Sequence, residues 1–280
     1  MSTVKTSPKP PVALTIAGFD PSNGAGITAD LQVFAAHGIF GTSAITALTV
    51  QSTLGVAQVQ PLDPTLFRHT LDHLTADLPP VGIKIGMLGN AAIATELADF
   101  LKQLDQLLTG KQNILIVLDP VILSSSGAAL LDPDGLEILR THLLPRVTWL
   151  TPNWQELALI TGKPVTTQQE ARHALGILAQ TYPHLHIIAT AGDQHHPTDL
   201  LLTPTGQFHE FTGTRIETTS THGTGCAFSS ALLSRLILGD QPLAAVTAAK
   251  SYIEGALRRA PNLGHGRGPM NLLWPLRPQN

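Results

Sequence analysis

Between residues 12 and 190, short apolar runs alternate with longer segments of helical period, and this alternation leaves few folds open. Runs at 12–17, 43–50, 81–85, 114–118, 147–150 and 186–190 read as strands. Several are apolar throughout, as parallel strands covered on both faces tend to be. Helical patterns separate them at about 25–37, 64–76, 91–108, 153–161 and 168–180. This order predicts an α/β fold, a central mostly parallel sheet with helices on both faces. Segments 200–203 and 207–211 flank Pro204-Thr205-Gly206 and read as a hairpin; two long helices follow at about 224–238 and 242–259. There is no internal repeat, low-complexity tract or linker, so 12–280 is expected to be one domain. The polar, Pro-rich stretch 1–11 lacks a signal-peptide core and is expected to be a disordered tail.

Ligands of open α/β sheets sit outside the carboxyl ends of the strands, and the polar, Gly-rich segments fall there. The most informative is Thr-Ser-Thr-His-Gly-Thr-Gly-Cys at 219–226, running directly into an apolar helix pattern. Gly223 and Gly225 let the backbone bend so that N–H groups converge at a helix N-terminus, where an anion such as phosphate is favoured. A Gly-rich helix entry with no ligand is the plainer alternative. After the first strand comes Gly18-Phe-Asp-Pro-Ser-Asn-Gly-Ala-Gly26, which leads into a helix carrying Asp30. Asp30 is expected to face the pocket, with a helix-dipole partner as the alternative. Gln51, ending the second strand, offers a donor and an acceptor to a heteroaromatic edge, or braces its loop. Asp119, before Pro120, ends another strand in a place suited to Mg²⁺ held through water, or to orienting a phosphate loop. Asn153 and Glu156 open the next helix with capping-box spacing. Hard oxygen ligands from two adjacent strand ends would also suit Mg²⁺.

Composition removes several function classes. The net charge of −3 and 5% aromatic residues give no case for nucleic acid or an anionic membrane. One cysteine rules out an internal disulfide and fits a reducing cytoplasm. The twelve histidines, including His195-His196 in a loop, form no zinc pattern. His222 stands apart because it adjoins the glycine turn. No apolar run reaches membrane-spanning length.

In combination these segments resemble the hydroxymethylpyrimidine/phosphomethylpyrimidine kinases of thiamin biosynthesis. The match runs in order through residues 13–30, Ile45-Thr-Ala-Leu-Thr-Val-Gln51, Lys84-Ile-Gly-Met-Leu-Gly89, Leu118-Asp-Pro-Val121, Leu150-Thr-Pro-Asn153 with Glu156, Thr221-His-Gly-Thr-Gly-Cys226 and Gly264-His-Gly-Arg-Gly-Pro269. The resemblance implies a ribokinase-like fold, a homodimer, and two ATP-dependent phosphorylations with Mg²⁺. By position, Gly18, Ala25, Asp30 and Gln51 would touch the pyrimidine. Gly223, Thr224 and Gly225 would form the anion hole. Asn153, Thr190, Thr221 and Lys250 would lie on the nucleotide and phosphate side, and Asp119 and Glu156 on the metal side. Cys226 stands where related sugar kinases carry an aspartate base. A thiol at a helix N-terminus tends to a lowered pKa, so it is expected to serve as general base or as a positioning group.

The chain also departs from that pattern. The usual lysine after Asp-Pro-Val is replaced within Ser125-Ser126-Gly127. The usual Lys-Gly-Gly-His is Thr190-Ala191-Gly192-Asp193, and the asparagine after the pocket glutamine is Ser52. Losing one preorganised charge stabiliser can cost roughly 3–4 kcal/mol. Lys84, Arg215, Lys250 and Arg267 are the candidates to compensate. Two alternatives follow: a pyridoxal or pyridoxine kinase of the same fold, or a pyrimidine-binding homologue without catalysis.

Overall fold

The computed structural model describes residues 9–107, 114–124, 127–191 and 198–276. The expectations placed on 1–8, on Ser125-Ser126, on Gly192-Asp193 and on His195-His196 lie outside the described residues. Among these, one sheet contains β1 (Val12–Phe19), β2 (Phe40–Ser52), β3 (Gly55–Pro61), β4 (Gly82–Ile85), β5 (Leu115–Leu118), β6 (Trp149–Leu150), β7 (His186–Ala189), β8 (Thr198–Leu202) and β9 (Phe208–Thr212). Their order is β3-β2-β1-β4-β5-β6-β7-β8-β9. The six central strands β2, β1, β4, β5, β6 and β7 run parallel; β3 at one edge and β8–β9 at the other pair antiparallel.

Eight α-helices connect them among the described residues: α1 (Gly26–Ala36), α2 (Pro64–Asp77), α3 (Ala91–Leu107), α4 (Pro133–Ile138), α5 (Trp154–Thr161), α6 (Gln168–Thr181), α7 (Thr224–Ile237) and α8 (Pro242–Arg258). Alternation along the strands sorts their side chains onto two faces. Ile83, Ile85, Ile116 and Leu118 pack with Phe67, Leu97 and Leu101 of α2 and α3. Ala13, Val117 and Ile188 pack on the other face with Phe34, Leu232 and Val246 of α1, α7 and α8. Both faces of the central strands are therefore dry, which explains their unbroken apolar runs.

The helix starts follow capping chemistry. Asp63 and Thr167 accept from Leu66 N and Glu170 N, and Asn153 and Glu156 form a complete capping box. Two elements escape the sequence pattern. β3 is a half-exposed, Gln-rich edge strand whose period of two is interrupted where Val56 and Ala57 adjoin. α4 continues into a π-helical turn, Leu139–Leu143, that blurs the helical period.

Winding from β1 proceeds to β2 on one side and then to β4 on the other. The crevice at the carboxyl ends of β1 and β4 is thus the topological switch point, where such sheets bind ligands.

Candidate active site

One cavity opens at that crevice, and a second adjoins it towards β7 and β8. The first, about 380 Å³, is lined by Gly18, Ala25, Gln51, Met87, Val121 and Leu130 among others. The second, about 760 Å³, is lined by residues including Thr190, Asp199, Thr221 and Lys250. Both sizes suit small-molecule ligands.

The first turn of α7 divides them. Gly223 and Cys226 face the first cavity, Thr224 and Gly225 the second. Gly223 is the N-cap with φ +77°, and a Cβ there would lie 2.0 Å from Gly24 O. No other residue type fits that turn. No side chain caps α7, so its leading N–H groups and its positive dipole end remain for an anion.

At the floor of the first cavity His222 Nε2 lies 2.7 Å from Asp20 Oδ2. Burial alone pushes the Asp20 carboxyl up. The hydrogen bond from His222, those from the Ser22 hydroxyl and N–H, and the His222 charge outweigh it and hold the group below its usual range. An ionised carboxylate only accepts, so the imidazole nitrogen facing it carries hydrogen. The Gln51 amide lies 3.1 Å from that same nitrogen and 3.1 Å from Thr49 Oγ1. That nitrogen carries one hydrogen, so with its oxygen turned to His222 the amide shares this hydrogen with Asp20, while its nitrogen donates to Thr49, whose hydroxyl donates to Phe19 O. Asp20, His222 and Gln51 thereby form one connected polar edge in an otherwise apolar slot.

Asp30 is not part of that edge, contrary to the expectation. It is fully buried and absent from both cavity walls. Spacing explains this: Ile27, Asp30, Val33 and Phe34 share the buried stripe of α1. Asp30 accepts from Lys84 Nζ at 3.0 Å, Thr15 Oγ1 at 2.5 Å and Ser230 Oγ at 2.7 Å. Lys84 is itself fully buried. Burial disfavours its charge, but Asp30 first, then Cys226 and Asp119, hold the ammonium above its ordinary value. The signal for this pair was a lysine inside Gly-Ile-Lys-Ile, a strand with no wet face.

Asn153 also departs from expectation. It caps α5 and bridges to Thr190 rather than lining the second cavity. Thr190, Thr221 and Lys250 do line it, with Lys250 ion-paired to Asp199.

Asp119 and Glu156 lie behind the partition, 5% and 4% exposed. A Cβ on Gly225 would stand 3.8 Å from Asp119 Oδ2, so this carboxylate adjoins the α7 N-terminus. Burial pushes Asp119 up to about 6; Lys84 opposes this and Asp30 adds to it, while Ser229 and Cys226 donate to the carboxylate. Burial, and next the Asp119 charge, raise Glu156 well above its usual value, against hydrogen bonds from the Asn153 and Ile122 N–H groups. Among the described residues no group of three or more His, Cys, Asp or Glu gathers to hold a metal. Two carboxylates made costly by each other and by burial nevertheless fit Mg²⁺, which needs only one or two and keeps its waters for substrate phosphates.

The lowered pKa expected for Cys226 is not found. Its residue keeps some exposure to the first cavity, but burial around the thiol pushes it up to about 12. Lys84 opposes the shift, and Asp119 and Asp30 add to it. Burial outweighs both the Lys84 charge and the helix dipole, which holds the thiol in its neutral form at pH 7.

An apolar slot with one polar edge, a wider polar cavity, and an uncapped helix N-terminus between them describe a small-molecule phosphotransferase. A family model described as phosphomethylpyrimidine kinase matches residues 20–271. A hydroxymethylpyrimidine/phosphomethylpyrimidine kinase of Synechococcus elongatus is 39% identical over 269 residues, covering 95% of this chain and 98% of that protein. A phosphomethylpyrimidine kinase structure from Clostridium difficile superposes with TM-score 0.74 at 33% identity, covering 87% of this chain and 98% of that one. A pyridoxal kinase structure from Staphylococcus aureus, in complex with AMP-PCP and pyridoxal, gives TM-score 0.81 at 28% identity, with 95% and 94% covered. The chain belongs to the phosphomethylpyrimidine kinase family, and its fold is ribokinase-like.

Two outcomes follow from the buried charges. Lys84→Met strands a buried carboxylate and should destabilise the protein by about 3–5 kcal/mol in urea unfolding, whereas adding Asp30→Asn should recover much of the loss. Asp119, with a folded pKa above its unfolded value, subtracts stability as pH rises from about 4 to about 6. Asp119→Asn should therefore melt higher than wild type above pH 6 in EDTA, by about 2–4 °C per kcal/mol removed. The gap should close below pH 4, and Mg²⁺ should raise the melting temperature of the wild type only.

Proposed function

We propose that the protein transfers the γ-phosphoryl group of ATP to 4-amino-5-hydroxymethyl-2-methylpyrimidine, and a second one to the resulting monophosphate, in thiamin biosynthesis. The observation that carries this reading is the α7 N-terminus, which presents uncapped N–H groups between a ring-sized slot and a larger polar cavity. Family membership and the printed names of the relatives support the same substrate class. The AMP-PCP complex of the Staphylococcus aureus pyridoxal kinase supports ATP as donor.

The roles follow from position. Gly18 and Ala25 let the ring approach the backbone, and the Gln51 amide, set by Thr49 and His222, meets its polar edge. The substrate hydroxyl oxygen bonds to the γ-phosphorus as the bond to ADP breaks, and the hydroxyl proton passes to a phosphate oxygen and on to water. N–H groups of Gly223, Thr224 and Gly225 receive the charge that develops. Thr190, Thr221 and Lys250 face the nucleotide. Asp119 and Glu156 would hold Mg²⁺, which when bound neutralises phosphate charge. Cys226, protonated, positions the hydroxyl; a loose phosphoryl transfer asks more for alignment than for a strong base.

A non-catalytic binder is the weaker reading. Asp119 and Glu156 cost stability by their burial, and a protein without phosphate chemistry gains nothing from them. Pyridoxal as substrate keeps the support of the Staphylococcus aureus structure. A cytoplasmic homodimer also belongs to this proposal. Its supports are the free Cys226 and the exposed Leu48, Val50 and Leu54 on the β2–β3 edge. Among the described residues no helix is long and apolar enough to cross a membrane.

Incubation with Mg²⁺-ATP and the pyrimidine alcohol, with products resolved by mass, should yield monophosphate and then pyrophosphate. Pyrimidine binding with no phosphorylated product would establish the binder instead, and faster turnover of pyridoxal would establish the pyridoxal reading. Cys226→Ser should keep turnover within about tenfold of wild type if the thiol acts in its protonated form, whereas Cys226→Ala should lose about 10²-fold. Equal and larger losses in both variants would assign Cys226 as a thiolate base.

A further inference from the structure

The loop Gly264-His-Gly-Arg-Gly-Pro269 is stitched to two parts of the site at once. Arg267 N donates to Thr53 O at 2.8 Å, in the β2–β3 turn over the first cavity. Gly268 N donates to Thr219 O at 3.1 Å, and Gly268 O accepts from His222 N at 3.1 Å, on the segment entering α7. Gly266 makes the close seat possible, since a Cβ there would lie 2.1 Å from Thr53 O. The backbone of Arg267 is therefore held between the wall of the slot and the approach to the anion site.

Arg267 stands at the junction of the two cavities. Arg267 lines the first and the second. Lys250 and Arg215 line only the second. Lys84 lines neither and is committed to Asp30. Along the wall of the first cavity the charged side chains among the described residues are Asp20 and Arg267, beside the titratable His222. Asp20 is satisfied by His222.

The geometry points to Arg267 as the residue that binds the phosphate of a phosphorylated pyrimidine during the second transfer. This rests on the kinase reading above. In that step a phosphate oxygen of the monophosphate dianion forms the new P–O bond. The bond from the γ-phosphorus to the bridging oxygen breaks, and ADP leaves with the electron pair. The attacking oxygen has no proton to lose, so no base is needed. What the step adds is negative charge: a second phosphate must approach the first at the junction of the cavities. A guanidinium there offers paired donors matched to a phosphate's oxygens. The alcohol substrate brings no such charge, so the two transfers depend on Arg267 unequally.

The test compares wild type, Arg267→Gln and Arg267→Lys by ADP release, with the pyrimidine alcohol and with its monophosphate. Arg267→Gln should lower kcat/KM for the monophosphate about 30-fold more than for the alcohol, mostly through KM, and Arg267→Lys should restore most of that difference. Equal losses with both substrates, or no loss with either, would overturn the assignment. If wild type turns over neither substrate, the kinase reading fails by itself. Calorimetric binding then decides for Arg267: selective weakening of the monophosphate supports it, and unchanged affinity sinks it.

Discussion

A lysine and an aspartate, both out of reach of water, set the terms for everything around them. Lys84 rises from β4 in the middle of the sheet and meets Asp30 of α1 at 3.0 Å. Removing two charges from water is expensive, and their attraction repays it only where further hydrogen bonds complete the shells. Here Thr15 from β1 and Ser230 from α7 do so. The pair consequently pins β1, β4, α1 and α7 to one another directly under the α7 N-terminus. Gly86 has no side chain for the same reason: a Cβ would stand 2.8 Å from Lys84 Nζ.

The second layer of polar groups is less well satisfied, and that is where chemistry belongs. Ser229, one residue before Ser230, turns to Asp119. The two serines thus tie one helix to one carboxylate balanced by an ammonium and another that remains only partly balanced. Burial disfavours the charged forms of Asp119 and Glu156, and too little positive charge stands beside them to offset it. Such an arrangement weakens the resting fold and favours whatever cation and phosphate can complete it.

Much of this was legible in the sequence because it rests on period and spacing. The parallel strands, the helices between them and the glycine turn before α7 each follow from a local pattern. Gly18, Ala25, Gln51, Gly223 and Cys226 meet at one cavity, as their strand-end positions suggested. Asp30 was misread although its spacing from Ile27, Val33 and Phe34 placed it on a buried stripe; the Gly-rich entry drew attention from the period. The shift of Cys226 was not legible. It depends first on burial of the thiol and then on Lys84, Asp119 and Asp30, all of which only the folded chain brings near it. The Asp20–His222 contact joins residues 202 positions apart, and no local pattern announces it.

That distance in sequence bears on how the protein comes into being. The slot draws its ceiling from the β2–β3 turn and closes with Gly266 and Arg267, the first of which contacts Thr53 across 213 positions. A nascent chain can pair β1 with β2 early, since few residues separate them. It cannot enclose the slot until synthesis has passed Gly268 and the loop has docked. The sheet is therefore a product of early synthesis, and the pocket is a late one. Partly made chains would carry an apolar trough open to solvent, exposed to chaperones and to one another, for as long as translation takes to finish.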